Sequence, residues 1–357
     1  MDSMRIGKGE GHGAPAAGDP SPADLPAASS AARAYLTALA LGTLMALGAF
    51  YLGLGALHVT GNLPPPGFSN SLCVDDKLRF MREHPAQRPD LLIVGSSIAL
   101  RNFDAEALVT EQVASQPLNG GFCGLRAHQV AYVAGWILDR HATTEHVLFP
   151  TVPQDFARCN TERTAVFDRG DAEGYVSRAA SPWSFYLKYF SPLSLTRNAR
   201  KIKQLRTDRL DLDTLVFDRY AAAPKDTPRN RPTLAYGSPE RLEDECFDAL
   251  RSLGRKLQAD GRQFTVVLAP IHPAWKAKED PDGEFMDDFR KRLRSVVSEV
   301  NGSFWDADRQ WNPGPQAFTD AVHLRWSGAR EFSGNVAAGM RRRELLLMDT
   351  TRLGRSR

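Results

Sequence analysis

Two short segments carry residue types that can do acyl chemistry. The first is Gly95-Ser96-Ser97, directly after the apolar run Leu91 to Val94. The second holds Asp320 and His323, three residues apart in "FTDAVHLRWSGA". On one turn of helix or a tight loop, that spacing puts both side chains on the same side. A carboxylate beside an imidazole holds its tautomer and stabilises its protonated form. The imidazole can then take a proton from a serine hydroxyl. Ser97, Asp320 and His323 are therefore a candidate hydrolytic triad. Each segment alone is weak evidence. Glycine and serine are common turn residues, and Asp320 can be a mere helix cap. Their order and their placement after strands join them.

Such residues need a frame. Apolar segments at 90–95, from 117 ("PLNGG"), from 146 ("HVLFPT"), from 264 ("FTVVLAPI") and at "SFWDAD" read as short strands. Helical patterns fall between them, at 104–114, 125–140, 239–260, 282–300 and 326–340. In 125–140, Val130, Val133, Ile137 and Leu138 share one side. Ser238 and Pro239 read as the cap and first turn of 239–260, with Gly261 closing it. Asn301-Gly302 reads as the stop of 282–300. The alternation predicts an α/β fold, a three-layer α/β/α sandwich with a central parallel sheet. In such sheets ligands sit outside the carboxyl ends of the strands. At those ends stand Gly95-Ser96-Ser97, Asn119 to Gly124, Pro153-Gln154-Asp155, His272 and the Asp320–His323 pair. Segment 160–237 breaks the alternation and is too long for a plain loop. A helical insertion or lid is expected there.

These blocks resemble the SGNH, or GDSL-like, hydrolase superfamily, whose fold is flavodoxin-like. Gly95-Ser96-Ser97 matches its Gly-Asp-Ser block with Ser96 in place of Asp. That variant is familiar in the membrane-anchored branch involved in alginate and other exopolysaccharide O-acetylation and in teichoic-acid D-alanylation. Asp320-x-x-His323 matches the block before the last helix, and Asn119 with Gly124 matches the second block. The resemblance covers roughly 88–157 and 240–340. It implies Ser97 as nucleophile, His323 as base and Asp320 as its orienting partner. It also implies an oxyanion hole from the Ser97 and Gly124 amides, each donor worth about 3 kcal/mol of barrier. The family's Gly-x-Asn-Asp block is absent, and "PTVPQDF" stands there. Gln154 can supply a side-chain N–H in its place, whereas an ionised Asp155 cannot donate. Asn119 and His272 are expected to line the substrate pocket, with a structural role equally open for His272. The implied substrate is an acylated polysaccharide or cell-envelope glycan, and the implied partner is a membrane-bound O-acyltransferase. Water as acceptor makes an esterase, and a sugar hydroxyl makes an acyltransferase. A different class stays open too: a catalytically weak scaffold or glycan-binding component of a polysaccharide-assembly complex.

The rest of the chain sets the context. Its 357 residues carry a net charge of +3, so no whole-chain signal points to nucleic acid. Residues 1–32, rich in Ala, Gly, Pro and Ser, read as a disordered tail. Residues 34–57 hold no charged side chain. At about 1.5 Å per residue such a helix spans the roughly 30 Å hydrocarbon core, and it exceeds a signal peptide's apolar region. A transmembrane anchor is expected over 33–59. Arg33, with Lys8 and Arg5 further out, places the tail in the cytoplasm. Everything after residue 60 is then extracytoplasmic, which means the periplasm if the host is Gram-negative. Residues 60–87 read as linker and lead-in, with a stiff proline run. Residues 341–357 read as a loose basic tail, in which "ELLLM" can dock on the body.

The four cysteines show no C-x-x-C spacing, and no metal, nucleotide or cofactor motif appears. The cysteines read as small buried residues or as disulfides, because an exported compartment is oxidising; if bridged, Cys123 and Cys159, which follow adjacent strands of the expected sheet, are the candidate pair. His128 and His146 read as scaffold. The aromatic and basic insertion suits an anionic glycan, a membrane surface, or a solvated face over an aromatic core.

Overall fold

The computed structural model describes residues 26–206, 215–224 and 236–355. The chain divides into two compact units between Leu63 and Pro64. The described part of the first is one helix, α1 (Pro26–Val59). Its segment Ser30–Val59 has mean hydropathy 1.7 and is long and apolar enough to cross a bilayer. A signal sequence would have the same features. The helix begins before the expected anchor, and the tail up to residue 25 lies outside the described residues.

The second unit is built on five parallel strands, β1 (Leu91–Ile93), β2 (Pro117–Asn119), β3 (His146–Thr151), β4 (Gln263–Leu268) and β5 (Ser303–Asp306), in the order β2-β1-β3-β4-β5. The three residues of β1 are all buried, as a strand covered on both faces requires. Ile93 pairs with Asn119 on one side and Leu148 on the other. The chain therefore leaves β2, β1 and β3 side by side.

Before the sheet comes α2 (Leu72–Glu83), which the linker expectation missed. After β1 come α3 (Ser97–Asn102) and α4 (Glu106–Thr110). Next is α5 (Ala127–Arg140), with Val130, Val133, Ile137 and Leu138 all buried. The insertion contributes α6 (Arg169–Val176), α7 (Pro182–Lys188) and α8 (Pro192–Arg206). Then come α9 (Asp244–Ala259), α10 (Pro273–Glu279), α11 (Glu284–Glu299), α12 (Ala307–Gln310) and α13 (Trp326–Arg355). Helix α9 packs between α5 and α11, while α13 packs with α3 and α4. These groups cover the two faces of the sheet, the α/β/α sandwich.

Several boundaries differ from the sequence reading. Helix α9 starts at Asp244, so Ser238-Pro239 does not cap it. The intervening residues are held by the third loop instead: Glu243 N donates to Phe156 O, and Arg158 pairs with Glu240 at 2.7 Å. Helix α13 continues to Arg355 where a loose tail was expected. The proline run is no free linker either. Tyr186 Oη donates to Pro64 O at 2.6 Å, and Phe68 is buried among Tyr175, Phe185 and Tyr189.

The cysteine pairing is also corrected. The disulfides are Cys73–Cys123 and Cys159–Cys246, not Cys123–Cys159. The reason is α2, which folds back and brings Cys73 to the loop after β2. Helix α9 presents Cys246 to the loop after β3. Beneath the first bridge lies fully buried Lys77, whose ammonium donates to Asn119 O at 2.7 Å and to Ala221 O. Burial pulls its pKa down to about 7.

Candidate active site

The turn after β1 depends on Gly95. Its φ is +155°, and a Cβ there would lie 2.7 Å from Ala99 Cβ and 2.9 Å from Pro150 O. Only glycine fits. Ser96 then caps α3, its Oγ accepting from Ile98 N at 3.3 Å. Ser97 thereby becomes the first helical residue, at the carboxyl end of the sheet's second strand in spatial order. It is half-buried, whereas Ser96 and Ile98 are buried.

The second segment is a closed loop. Phe318 and Leu324 form an antiparallel bridge at its base. Thr319 N donates to His323 O at 2.8 Å. Asp320 Oδ1 accepts from Val322 N at 3.0 Å and His323 N at 2.8 Å. His272 N, after β4, donates to Ala321 O at 2.9 Å. The carboxylate is thus fixed by backbone donors before it meets the imidazole.

The two segments meet. His323 Nδ1 lies 2.8 Å from Asp320 Oδ2, and His323 Nε2 lies 2.9 Å from Ser97 Oγ. A carboxylate only accepts, so Nδ1 carries the proton and Nε2 is the acceptor for the Ser97 hydroxyl. Asp320 and His323 are only 4% and 5% exposed. Little water competes for the pair, while Ser97 stays reachable.

The oxyanion candidates are distributed as follows. Among the described residues, no protein acceptor takes the amide N–H of Ser97 or Gly124. Gly124 has φ +71° and open space where a Cβ would be, so it is needed for its backbone. Gln154 sits in the short turn Pro153–Phe156. Its main-chain O accepts from Arg126, and its buried Oε1 has no partner among the described residues.

Of the two expected substrate contacts, Asn119 is corrected by its full burial, while His272 is half-buried beside the Asp320 loop. Asn119 is fully buried, its Nδ2 donating to Ala99 O at 2.7 Å and its Oδ1 accepting from Gly121 N at 2.9 Å. It braces the second loop, and its full burial keeps it from direct contact with a ligand. His272 spends Nδ1 on capping α10, accepting from Ala274 N at 3.0 Å. Its ring lies 5.2 Å from that of Phe318, tilted by 56°, and its backbone N–H supports the loop of Asp320. His128 and His146 bind Glu162 O and Thr265 Oγ1 respectively, at the scaffold. A cavity of about 580 Å³ beside His146, Phe264 and Trp305 lies at the amino ends of the strands, away from Ser97.

Asp155 accepts from Thr151 Oγ1 at 2.8 Å, from Val152 N at 3.3 Å and from the Ser96 hydroxyl. It therefore props the turn below the serine. Burial raises its pKa from 3.8 to about 6, against those hydrogen bonds. Between these values the folded chain binds a proton the unfolded chain has lost, so stability falls as pH rises from about 4 to 6 and then levels off. The expected loss is on the order of 3 kcal/mol. Asp155→Asn keeps an acceptor and should remove that slope, read as urea midpoints against pH.

Two residues near the site carry no motif. Tyr236 places its ring 5.7 Å from that of His323. Asn102, fully buried at the end of the helix that Ser97 opens, grips both neighbours of His323. Its Nδ2 donates to Val322 O at 2.7 Å, and its Oδ1 accepts from Leu324 N at 2.9 Å. One side chain thus ties the serine helix to the histidine loop. Asn102→Ala should lower kcat by about 10–100-fold through loosened Ser97–His323 geometry. It should also cost about 1–3 kcal/mol for the stranded backbone groups. Steady-state kinetics and urea unfolding read the two effects separately.

No family model matches this chain, and no curated protein matches it. Solved structures do. A protein of Agrobacterium tumefaciens str. C58 described as an arylesterase is 14% identical over 70% of this chain and 97% of its own, with a TM-score of 0.34. A carbohydrate acetylesterase family member from Sinorhizobium meliloti is 13% identical over 70% and 97%, with a TM-score of 0.33. LAE5, an alpha/beta hydrolase enzyme from the metagenome of Lake Arreo, is 13% identical over 72% and 97%, with a TM-score of 0.40. This chain is distantly similar to all three, and no functional argument rests on that distance.

Proposed function

We propose that this chain is a membrane-anchored, extracytoplasmic serine esterase or O-acyltransferase. Its substrates would be acyl esters, acetyl foremost, of a surface or exported polysaccharide. The observation that carries the reading is the unbroken hydrogen-bond line Ser97–His323–Asp320 at the carboxyl ends of a parallel sheet. Polysaccharide as substrate rests on the Gly-Ser-Ser resemblance, and the anchor on the length and composition of α1. A multi-spanning O-acyltransferase would feed the acyl group, and a bacterial inner membrane would hold the single pass.

The chemistry follows from the geometry. Ser97 Oγ attacks the acyl carbonyl while His323 Nε2 takes its proton. The imidazolium is stabilised by Asp320. The oxyanion faces the Ser97 and Gly124 amides, with the Gln154 side chain as the third candidate donor. Collapse breaks the ester C–O bond, and His323 returns the proton to the leaving alcohol. The acyl group now rests on Ser97. Water or a sugar hydroxyl then attacks, gives its proton to His323, and frees the serine.

The test uses the full chain in detergent with p-nitrophenyl acetate. Turnover should vanish in Ser97→Ala. Acceleration by an added oligosaccharide acceptor identifies transfer, and its absence identifies hydrolysis. Turnover equal in Ser97→Ala and the parent would leave a scaffold with no acyl chemistry.

A further inference from the structure

A buried lysine stands by the loop that carries Gly124, and the acyl chemistry above gives it no part. Lys77 lies on α2 and is 0% exposed. Its ammonium donates to Asn119 O at 2.7 Å, at the end of β2, and to Ala221 O in the segment that returns from the insertion. Two rings face it: Nζ lies 5.9 Å from the centroid of Phe122 and 5.4 Å from that of Phe217. Asp218, in the same returning segment, favours the charged form against the burial that disfavours it. A methionine or leucine would fill such a space without the cost of burying an amine. Packing alone therefore does not account for a lysine here.

The segment that Lys77 grips touches both halves of the site. Tyr220 O accepts from Asn119 N at 2.8 Å, so residue 119 is held by both its N–H and its C=O. Three residues on, Ala223 N donates to Leu100 O at 2.8 Å, and Ala223 O accepts from Arg101 at 3.0 Å. Leu100 and Arg101 belong to α3, the helix that Ser97 opens. Between these contacts Ala221 stands at φ +68°, a left-handed conformation unfavourable for alanine. Such a residue persists where its surroundings over-determine it. Here Asp218 O takes the Ala221 N–H at 3.0 Å, and Lys77 takes the Ala221 carbonyl. Past Asn119, the loop meets the serine turn through Phe122 N, which donates to Gly95 O at 3.1 Å, two residues before Gly124.

We infer that Lys77 is a positioning residue for the acyl chemistry: it clamps segment 217–223 onto the end of β2 and so keeps the Gly124 amide in register with Ser97. The segment is tied to α3 on one side and to the loop after β2 on the other, and Lys77 fastens it from α2. The reacting carbonyl must meet Ser97 Oγ and the Gly124 N–H at once, and a misplacement of about 1 Å costs about 10²-fold in rate. Binding of the ester before reaction asks less of that register. Loss of the clamp therefore falls on kcat more than on KM. This inference deepens the acyl-chemistry reading above and rests on it.

The test compares the full-length parent, Lys77→Met and Lys77→Gln in detergent. Methionine keeps the length and removes every donor, while glutamine keeps a donor without the charge. Each is assayed with p-nitrophenyl acetate and with an aryl trifluoromethyl ketone. Ser97 Oγ bonds to the carbonyl carbon of that ketone, His323 takes the hydroxyl proton, and the carbonyl oxygen becomes an oxyanion. In Lys77→Met, kcat should fall about tenfold or more, with KM within about twofold of the parent. Affinity for the ketone should fall by the same factor as kcat/KM, in a chain shown to be folded by its urea midpoint. Lys77→Gln should lie between the parent and Lys77→Met, and it is read in the same way if Lys77→Met does not fold. A folded variant whose kcat and ketone affinity stay within about twofold of the parent overturns the clamp and leaves the acyl chemistry standing. Failure of both variants to fold makes Lys77 a structural residue and overturns the positioning role. A parent without Ser97-dependent turnover overturns both the clamp and the acyl chemistry.

Discussion

Asp320→Asn should lower p-nitrophenyl acetate turnover by about 10⁴-fold while leaving the urea midpoint near that of the parent. Asp320 Oδ1 accepts two backbone N–H groups, from Val322 and His323. The new amide must keep its oxygen there, because an NH₂ group cannot accept. Its nitrogen then faces His323 Nδ1, where Oδ2 was at 2.8 Å. Nδ1 must become the acceptor, and the ring proton moves to Nε2. That nitrogen can no longer take the Ser97 proton. The loop keeps its hydrogen bonds, so the effect falls on kcat and not on folding. A loss below tenfold would mean that Asp320 does not set the histidine's tautomer.

The second large effect concerns the bridge that holds the Gly124 loop. Cys73–Cys123 closes a separation of 50 residues. Chain-entropy arithmetic gives such a cross-link about 4 kcal/mol. Cys73→Ser/Cys123→Ser should lower unfolding free energy by about 2–4 kcal/mol. Gly124 follows Cys123 directly, so one candidate oxyanion donor loses its tether as well. We expect kcat to fall about tenfold or more under conditions where the variant remains folded, with KM moving less. Cys159–Cys246 braces the loop after β3 in the same way. Reduction of the parent should reproduce both effects. Unchanged kinetics in a folded, reduced chain would separate the bridges from the site.

The five strands and the Ser97, Asp320 and His323 positions could be read from the chain because each rests on a local signal. Short apolar runs end in turn residues, and reactive residues stand right after them. What could not be read depends on partners far away in sequence. Helix α2 hides because its buried side includes Asp75 and Lys77, which break the apolar period. Helix α3 is six residues long and buries five of them, so it shows no amphipathic face. Ser238-Pro239 is a sound local start signal that tertiary contacts of residues 240 and 243 override. Asn102 looks like any helix-end asparagine until the loop 220 residues later closes on it. Asn119 was legible as a residue of the site's neighbourhood, but its burial and its internal hydrogen bonds were not. The disulfides follow the same rule, since the order of strands says nothing of where α2 and α9 bring Cys73 and Cys246.

The most direct test of the central claim is covalent. The parent chain, Ser97→Ala and His323→Ala are treated with a serine-reactive fluorophosphonate, and intact mass and peptide mapping are recorded. One adduct on Ser97 in the parent, none in Ser97→Ala, and labelling slowed at least 100-fold in His323→Ala is the predicted result. An unlabelled parent, or an adduct on any other residue that persists in Ser97→Ala, would contradict the assignment of Ser97 as the nucleophile.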